Sequence, residues 1–411
     1  MNLNLFKRPS DLPVQFWIVA FVGFINAVSF TLIIPIIYPY AQQFQLNDFE
    51  ASLLITSFAI CQFIGTPILG KLSDRFGRKP LLILSLFGTV LANLIASLST
   101  VAWLLYAARM LDGFTGGNNS IAKAVISDIT DFSQRAKAFG IFDAVFRLGF
   151  IIGPGLNYIA QQLPTFPGIS SLGMCFLLAA AIAFFGTLMA IFFLPETLSV
   201  TQEVDLDWQD FVFIRIFQAA VRPKLGNIFI LTLFSGFTFT IFTFAFQPFV
   251  IRILKQDPET LPLIFVSIGI LGFASQIFSF QPLTKNFNLI DVLFVALLIR
   301  GIVFFLIPTF PYLNIFAVLI VIFALVNPFP LPILSAIVSL NSSKREQGEI
   351  LGINASYLSM ANALGPAFSG VIISYFGYQS PFWITGVLTV ITALFALTLK
   401  SDFKCKKAAA K

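Results

Sequence analysis

The sequence predicts an all-α polytopic membrane protein whose twelve transmembrane helices form two pseudo-symmetric six-helix halves. Of its 411 residues, 57% are hydrophobic, only 11% are charged, and the mean hydropathy is +0.90. Soluble domains carry about a quarter charged residues, whereas apolar runs of about 18 or more residues, long enough to span a bilayer, recur along this chain. Because these runs are continuous and do not alternate with polar residues, a transmembrane β-barrel is excluded.

Twelve apolar segments separated by polar connections are the predicted helices 1 to 12: 16–39, 51–70, 81–98, 102–126, 138–162, 172–194, 225–250, 261–281, 290–308, 312–337, 350–375 and 380–399. The longest connection is acidic and divides six helices from six. We therefore predict an N-terminal half at 1–194, a cytoplasmic linker at 195–224, and a C-terminal half at 225–411 that ends in a short basic tail.

An internal repeat indicates that the two halves are related. At an offset of 212 residues, four residues of helix 5 recur in helix 11: Gly140, Ile141, Gly153 and Pro154 correspond to Gly352, Ile353, Gly365 and Pro366. Two repeat-related halves are typical of secondary transporters, in which the substrate binds between the halves near the bilayer midplane.

The positions of lysine and arginine predict the orientation in the membrane. With Lys7 and Arg8 in the cytoplasm, 20 of the 25 basic residues lie on that side, only Arg252 and Lys255 lie outside, and three lie within spans. Because cytoplasmic connections carry the excess of basic residues, both termini are predicted to be cytoplasmic, in an inner or plasma membrane. The net charge of +6 comes from these basic residues in the connections. Because their placement reflects orientation in the membrane, no nucleic-acid partner is predicted.

Scarce residue types exclude most catalytic and metal chemistry. The chain has no histidine and only three cysteines, Cys61, Cys175 and Cys405. This rules out a histidine-dependent triad, an imidazole metal site, a cysteine zinc site and a disulfide framework. The sequence also has no Gly-x-x-x-x-Gly-Lys-Ser/Thr loop, so ATP is not the predicted energy source. We predict neither enzyme activity nor a cofactor.

The connection between helices 2 and 3 reads GKLSDRFGRKP from Gly70 to Pro80. The glycines permit a close approach of the helices, and Asp74 can accept from helix amides or pair with a neighbouring arginine. This string resembles the signature loop of the major facilitator superfamily. The resemblance implies the major facilitator fold and a conformational latch, with Asp74–Arg78 contacts that exist only when the cavity opens outward. The latch residues are Gly70, Asp74, Arg75, Gly77, Arg78 and Lys79.

Motifs in helices 4 to 6 narrow the resemblance. Arg109 followed by Asp112 and Gly113 resembles the family's Arg-x-x-polar-Gly motif. The first half, including Leu-Pro-Glu-Thr at 194–197, resembles the drug:proton antiporter-1 group and its tetracycline-efflux branch. The chain departs from that pattern in helix 1, where Asn26 stands in place of a membrane-embedded carboxylate. The residues of helix 5 that resemble the antiporter motif are Gly140, Gly149, Gly153 and Pro154.

Two carboxylates are predicted to lie well inside spans, and each has an arginine on the same helix face. Arg109 precedes Asp112 by three residues, and Arg147 follows Asp143 by four. Charges in a bilayer core are costly, so these side chains should face the cavity and pair. They form either a static ion-pair cluster or the proton-coupling site. We predict the second, with Asp143 as carrier, Asp112 as the alternative carrier and the arginines as modulators, because helix 11 lacks the charges of helix 5.

Amide side chains within spans are candidates for lining the substrate cavity: Asn26, Asn118, Asn119, Asn157, Asn327 and Asn362. Such amides also form hydrogen bonds between helices, and for each one this structural role is the alternative interpretation. Arg300 in helix 9 is expected to snorkel to a lipid headgroup or to enter the translocation path.

These features predict a secondary active transporter that exports a small organic compound, a drug or a metabolite, in exchange for protons by alternating access. Two alternatives stay open. One is a proton symporter or an exporter of an anionic metabolite such as a carboxylate siderophore, which cavity arginines would suit. The other is a membrane receptor that uses the fold without transport. The expected partners of the monomer are a small-molecule substrate, protons and membrane lipid.

The predicted topology can be tested with reporter fusions. Reporters fused after residues 45, 165 and 310 should all read as external, because these positions lie in connections on the side opposite the basic clusters. A cytoplasmic signal at any of the three positions would refute the topology.

Overall fold

A computed structural model of the protein describes residues 12–198, 225–342 and 347–401. Most of the predicted linker at 195–224 lies outside these residues, as do Lys7, Arg8 and Cys405. The described residues contain twelve helical units in the predicted order, and ten of the helices are long and apolar enough to cross a membrane. Helices 4 and 11 complete the twelve. The all-α fold with twelve membrane helices in two related halves is therefore confirmed.

Several helices have interruptions that the hydropathy pattern does not predict. The helical segments are Val14–Ile33, Ile34–Ile36 and Ile37–Gln43 (helix 1), Asp48–Phe76 (helix 2), Arg78–Ser97 (helix 3), Ala102–Thr115 and Asn118–Ile129 (helix 4), Phe132–Gln161 (helix 5), Ser171–Phe193 (helix 6), Leu225–Arg252 (helix 7), Thr260–Phe278 and Phe280–Asn286 (helix 8), Leu289–Thr309 (helix 9), Leu313–Val326 and Pro330–Leu340 (helix 10), Gln347–Phe376 (helix 11), and Ser380–Thr398 (helix 12).

Contacts between the helices group the described residues into two compact units. The first unit takes its residues from 1–35 and 61–206, and the second from 36–60 and 207–411. The segment 36–60, which ends helix 1 and begins helix 2, thus belongs to the second unit. The division of the chain predicted from the sequence assigns this segment to the N-terminal half, and that division stays a prediction.

Helices 4 and 10 are interrupted at equivalent places. The sequence predicted continuous helices here, but helix 4 breaks at Gly116 and Gly117, and helix 10 breaks around Pro328. Gly116 and Pro328 are separated by 212 residues, the offset of the internal repeat. Glycine is a weak helix former and proline lacks the amide donor that continues a helix. The repeat therefore includes these helix breaks as well as helices 5 and 11.

Helices 1 and 5 cross closely at two glycines of the antiporter motif. A Cβ atom at Gly149 would lie 2.6 Å from the Ala27 Cβ atom, and one at Gly153 would lie 2.8 Å from the Leu32 nitrogen. At the same crossing, the Thr31 hydroxyl donates to the Gly149 carbonyl at 2.7 Å. Small residues and hydroxyl hydrogen bonds are how membrane helices associate without a hydrophobic driving force.

The second unit repeats this crossing between helices 7 and 11. The Thr240 hydroxyl donates to the Ala361 carbonyl at 2.9 Å, and a Cβ atom at Gly365 would meet the Thr240 side chain. Ala361 and Gly365 follow Gly149 and Gly153 by 212 residues. The repeat seen in the sequence therefore corresponds to a shared helix crossing.

The predicted loop between helices 2 and 3 is mostly helical. Helix 2 continues through Phe76 and helix 3 begins at Arg78, so Gly70 lies within a helix and Gly77 alone joins the two. Gly77 has a φ of 105°, a left-handed conformation that glycine adopts without strain. The apolar run ends near residue 70, but the backbone continues as helix through Phe76.

We expect Gly153→Ala to destabilise the protein, because the added Cβ atom would force helices 1 and 5 apart. Overpacking of this kind costs about 1–3 kcal/mol. Gly140→Ala is the matched control in helix 5, since nothing lies within 4 Å of a Cβ atom there, and alanine favours the helix by up to about 1 kcal/mol. Thermal unfolding in detergent measures both variants. Equal melting temperatures would contradict the importance of the crossing.

Candidate functional site

Arg78 is the centre of a polar network at the junction of helices 2 and 3. Its guanidinium lies 2.5 Å from the Asp74 carboxylate and 3.0 Å from that of Asp128, and it donates to the Ser73 hydroxyl at 2.7 Å. The sequence does not identify Asp128, near the end of helix 4, because the spacing of residues along one helix does not reveal a partner on another. The buried arginine thus joins helices 2, 3 and 4.

Glu196 completes this network from the end of helix 6. Its carboxylate accepts from the backbone N–H groups of Arg78 at 2.9 Å and Lys79 at 3.1 Å, and also from those of Thr197 and Leu198. Burial alone would raise the pKa of this carboxyl, but the four N–H donors together lower it below the usual value of a glutamate. Because the first amides of a helix lack partners within that helix, the Leu-Pro-Glu-Thr motif caps helix 3.

The other predicted latch residues lie around this network. Lys79 contributes its backbone N–H group, as described above. Arg75 is exposed, and its guanidinium carbon lies 5.4 Å from the centroid of the Phe76 ring. The ion pairs of the network therefore come from Asp74, Arg78 and Asp128.

Arg109 and Asp112 form a buried ion pair in the first segment of helix 4. The atoms Nη1 and Oδ2 lie 2.8 Å apart, and the side chains are only 4% and 7% exposed. Asp112 also forms a hydrogen bond with Thr89 of helix 3, and Ser85 of helix 3 donates to the Thr115 carbonyl beside the break in helix 4. The pair therefore contributes to the contact between helices 3 and 4.

Asp143 pairs with a lysine of another helix, Lys123. Its Oδ1 atom lies 2.9 Å from the Lys123 Nζ atom, and the two side chains are 48% and 40% exposed. The spacing within helix 5 predicts Arg147 as the partner, but Lys123 lies in the second segment of helix 4. The ion pair instead joins helices 4 and 5, so it depends on how these helices pack.

Amide and aromatic side chains line a small pocket between helices 1, 3, 4 and 5. The Asn118 Nδ2 atom donates to the Asn26 Oδ1 atom at 2.8 Å. The Asn119 Oδ1 atom is buried and has no hydrogen-bond partner within the described residues, and Phe142 and Phe146 form part of the lining. Both asparagines of helix 4 directly follow its break, which positions them. An amide oxygen beside aromatic rings can bind a ligand that donates a hydrogen bond.

The other three asparagines of the predicted cavity have different surroundings. Asn157 is fully buried, donates to the Leu32 carbonyl at 2.7 Å and accepts from Gln161 at 2.7 Å. Both ends of its amide are thus used in contacts with the protein. Asn327 is half-buried at the break in helix 10, and Asn362 is exposed on helix 11.

Arg300 is buried between helices 7 and 9. Its side chain donates to the Ser235 carbonyl at 3.0 Å and the Thr238 hydroxyl at 3.3 Å, and it lies 5.9 Å from the centroid of the Phe304 ring. Since Arg300 is only 2% exposed, the expectation that it snorkels to a lipid headgroup is wrong. Hydrogen bonds to helix 7 satisfy part of the guanidinium instead.

Comparisons with known proteins identify similar chains over nearly the whole length. The model of the Major Facilitator Superfamily matches residues 19–224 and 228–409. The chain is 28% identical over 372 residues to "Multidrug resistance protein 2" of Bacillus subtilis (strain 168), covering 90% of each chain. It is 26% identical over 399 residues to "Tetracycline resistance protein, class B" of Escherichia coli, covering 92% of each.

A similar fold occurs in a crystal structure of a bacterial homologue of the human lysosomal transporter Spinster. The TM-score is 0.78 at 16% sequence identity, and the match covers 96% of this chain and 98% of the other. At this identity the likeness concerns the fold alone.

We expect Glu196→Gln to lower the melting temperature at pH 7, because an amide accepts weaker hydrogen bonds from the helix 3 amides than a carboxylate does. A carboxyl whose folded-state pKa is lowered stabilises the fold fully above its unfolded pKa of about 4.3. That contribution is lost as the pH falls through the lower folded value. The difference between the two proteins should therefore shrink below about pH 4.3. Melting curves across this range measure it, and a difference that stays constant would exclude the capping role.

Proposed function

The chain belongs to the major facilitator superfamily, a family of secondary active transporters, and on that basis we propose that it exports a small drug-like compound in exchange for protons. Support for export comes from the relatives that match over about nine-tenths of the chain and are named for multidrug and tetracycline resistance. The half-exposed Lys123–Asp143 pair between helices 4 and 5 is the observation that carries the proposal of proton coupling.

The transporter is proposed to act as a monomer in the plasma membrane, with both termini in the cytoplasm. The excess of lysine and arginine in the connections on one side supports this orientation. The halves would be residues 1–194 and 225–411, joined by a cytoplasmic linker at 195–224, and membrane lipid would surround the spans.

Asp143 is the proposed proton carrier. A carrier must exchange its proton with solvent, and the 48% exposure of this side chain allows that. Protonation would remove the charge that holds Lys123, so the contact between helices 4 and 5 would weaken. In a carrier with two conformations, a bound proton shifts the equilibrium between them only if it interacts differently with each. Weakening the contact between helices 4 and 5 would provide such a difference. Arg147 would modulate this site from the next turn of helix 5.

Asp112 is the alternative carrier, and Arg109 would modulate it. Its burial argues for a supporting role, since a carboxylate that is 7% exposed and paired with an arginine exchanges protons less readily. The pair would then keep helix 4 fixed to helix 3 near its break.

The substrate is proposed to contact the amide pocket of the first unit. The Asn119 oxygen, which has no hydrogen-bond partner among the described residues, and the rings of Phe142 and Phe146 suit a flat compound that carries a hydroxyl or amide donor. Asn26 would contribute a neutral amide where related exporters carry an acid. The pocket is small, so it would hold one polar group of the substrate.

The network of Asp74, Arg78, Asp128 and Glu196 is proposed to be the conformational latch on the cytoplasmic side. Three of these residues form ion pairs, and the fourth caps helix 3. Because only Gly77 separates helix 2 from helix 3, the positions of Asp74 and Arg78 relative to each other are fixed. A movement of helix 4 would therefore change several contacts of Arg78 together.

Export of an anionic metabolite is the second candidate function. The observation that favours it is Lys123, whose side chain is 40% exposed and would lose its partner when Asp143 is protonated. A carboxylate or phosphate group could then pair with the ammonium.

Transport into proteoliposomes under an imposed pH gradient tests the coupling. Asp143→Asn should abolish proton-driven accumulation of substrate while downhill exchange continues, because an amide carries no titratable proton. Asp112→Asn should keep accumulation if Asp143 is the carrier. Asp291→Asn is a matched control, because Asp291 also forms a half-exposed pair with a lysine, Lys400 at 2.7 Å, and it should keep full coupling.

The two variants separate the possible outcomes. Loss of accumulation in Asp112→Asn alone would assign the carrier role to Asp112. If both variants still concentrate substrate against its gradient, the cluster is structural and the coupling site lies elsewhere.

A further inference from the structure

Arg300 is a buried charge that forms no ion pair with any carboxylate among the described residues. It lies next to the midpoint of helix 9, which has 21 residues from Leu289 to Thr309. The guanidinium is therefore far from both ends of its span. The buried or half-buried cations of the first unit differ from it, because Arg109 and Lys123 each pair with an aspartate.

Neutral groups of helix 7 bind one end of the guanidinium. The Nη2 atom donates to the Ser235 carbonyl at 3.0 Å, to the Ser235 hydroxyl at 3.2 Å and to the Thr238 hydroxyl at 3.3 Å. These acceptors satisfy hydrogen bonds but carry no charge. Within the described part of the chain, the Ser235 hydroxyl accepts from Arg300 and donates to no other group, so its own proton is still available.

The Nε–H group of Arg300 is a second available donor. It is buried and has no hydrogen-bond partner in the parts of the chain that the structure describes. An arginine stays protonated in proteins, so this donor is not removed by a change of charge state. Buried donors almost always have an acceptor. The side chain thus combines an uncompensated charge with an unsatisfied donor.

Aromatic rings and helix 12 enclose the surroundings of Arg300. The ring of Phe304 lies 5.9 Å from the guanidinium carbon and stacks on the ring of Phe242 at 4.4 Å. On the adjacent face of helix 9, a Cβ atom at Gly301 would lie 3.0 Å from the Gly386 carbonyl oxygen of helix 12. A ring face attracts a cation, but it does not neutralise the charge.

We propose that Arg300 and the Ser235 hydroxyl form a binding site for a small monovalent inorganic anion such as chloride inside the second unit. The anion would accept from the Nε–H group and from the hydroxyl, and it would neutralise the guanidinium. Attraction between opposite charges is stronger in a medium of low dielectric constant, whereas an isolated charge in a membrane span is costly. The proposal does not depend on the export function or on the substrate proposed above.

Size and charge select among the anions that an arginine can bind. Carboxylates and phosphates also suit a guanidinium, but Arg300 is only 2% exposed, so a small anion is favoured over a molecule that carries an anionic group. A divalent anion would replace an uncompensated positive charge with an uncompensated negative one. Chloride, bromide and nitrate should therefore bind, and sulfate and acetate should not.

An anion bound at this site would stabilise the folded protein, because the unfolded chain does not form the site. Thermal unfolding of the full-length protein in detergent tests this while sodium gluconate is replaced stepwise by sodium chloride at constant sodium concentration. The melting temperature should rise and then level off as the site fills. At a chloride concentration one hundred times the dissociation constant, the equilibrium constant for unfolding should be about a hundredfold lower.

Three variants assign the effect to the site. Arg300→Gln should abolish the dependence on chloride, because it removes the charge and the Nε–H group. Ser235→Ala keeps the backbone carbonyl that binds Arg300 and removes only the hydroxyl, so it should raise the half-saturating chloride concentration by about tenfold. Lys285→Gln is the matched control, since it removes one positive charge from an exposed position on helix 8, and it should respond to chloride like the unmodified protein.

Bromide locates the bound anion directly. Crystals grown in sodium bromide should show an anomalous scattering peak beside the Arg300 Nε atom, and crystals of Arg300→Gln should show none there. A peak at this position would support the site independently of any effect on stability. Its absence from crystals of the unmodified protein would contradict the site.

The melting experiments also separate the site from its alternatives. A response to chloride that saturates, disappears in Arg300→Gln and persists in Lys285→Gln would support it. An equal response in the unmodified protein and Arg300→Gln, or no saturating response in either, would overturn it. A saturating response to acetate but not to chloride would assign a carboxylate ligand and would also overturn the proposal. If Arg300→Gln does not fold, an unchanged half-saturating concentration in Ser235→Ala would count against the site.

Discussion

A charge inside a bilayer needs a partner, and this requirement organises the polar interior of the protein. An isolated ionised side chain costs at least about 2.5–3.5 kcal/mol at the centre of a membrane helix. In the first unit, the Arg109–Asp112 and Lys123–Asp143 pairs meet this requirement in two ways. The Arg109–Asp112 pair is buried against helix 3 and is suited to hold helices 3 and 4 together. The Lys123–Asp143 pair is half exposed and joins helices 4 and 5.

The breaks in the helices position polar side chains near the ion pairs and in the pocket. Helix 4 stops at Gly116 and Gly117 and restarts with Asn118 and Asn119, which turn towards Asn26 and the rings of Phe142 and Phe146. The corresponding break in helix 10 at Pro328 indicates that the interruption is a property of the repeat. Because backbone groups released at a break need new partners in a membrane, each break also becomes a place where polar side chains collect.

Close glycine contacts appear where helices cross. Gly149 and Gly153 bring helix 5 against helix 1, Gly365 does the same for helices 11 and 7, and Gly370 lies against Ser52 of helix 2. The first three lie at crossings reinforced by a threonine hydroxyl. Steric fit therefore accompanies hydrogen bonding at the crossings of helix 1 with helix 5 and of helix 7 with helix 11.

The sequence by itself determined the membrane class, the order of twelve helices, the repeat and the family, because each depends on hydropathy, local spacing or a contiguous motif. It also placed Arg109 and Asp112 on one helix face, since residues three apart on a helix are neighbours. Only the tertiary structure identified Lys123 as the partner of Asp143, Asp128 as the partner of Arg78, and Glu196 as the cap of helix 3. The assignment of residues 36–60 to the second unit likewise came from contacts. These features join different helices, and which helices lie side by side depends on packing, which the spacing of residues along a single helix does not encode.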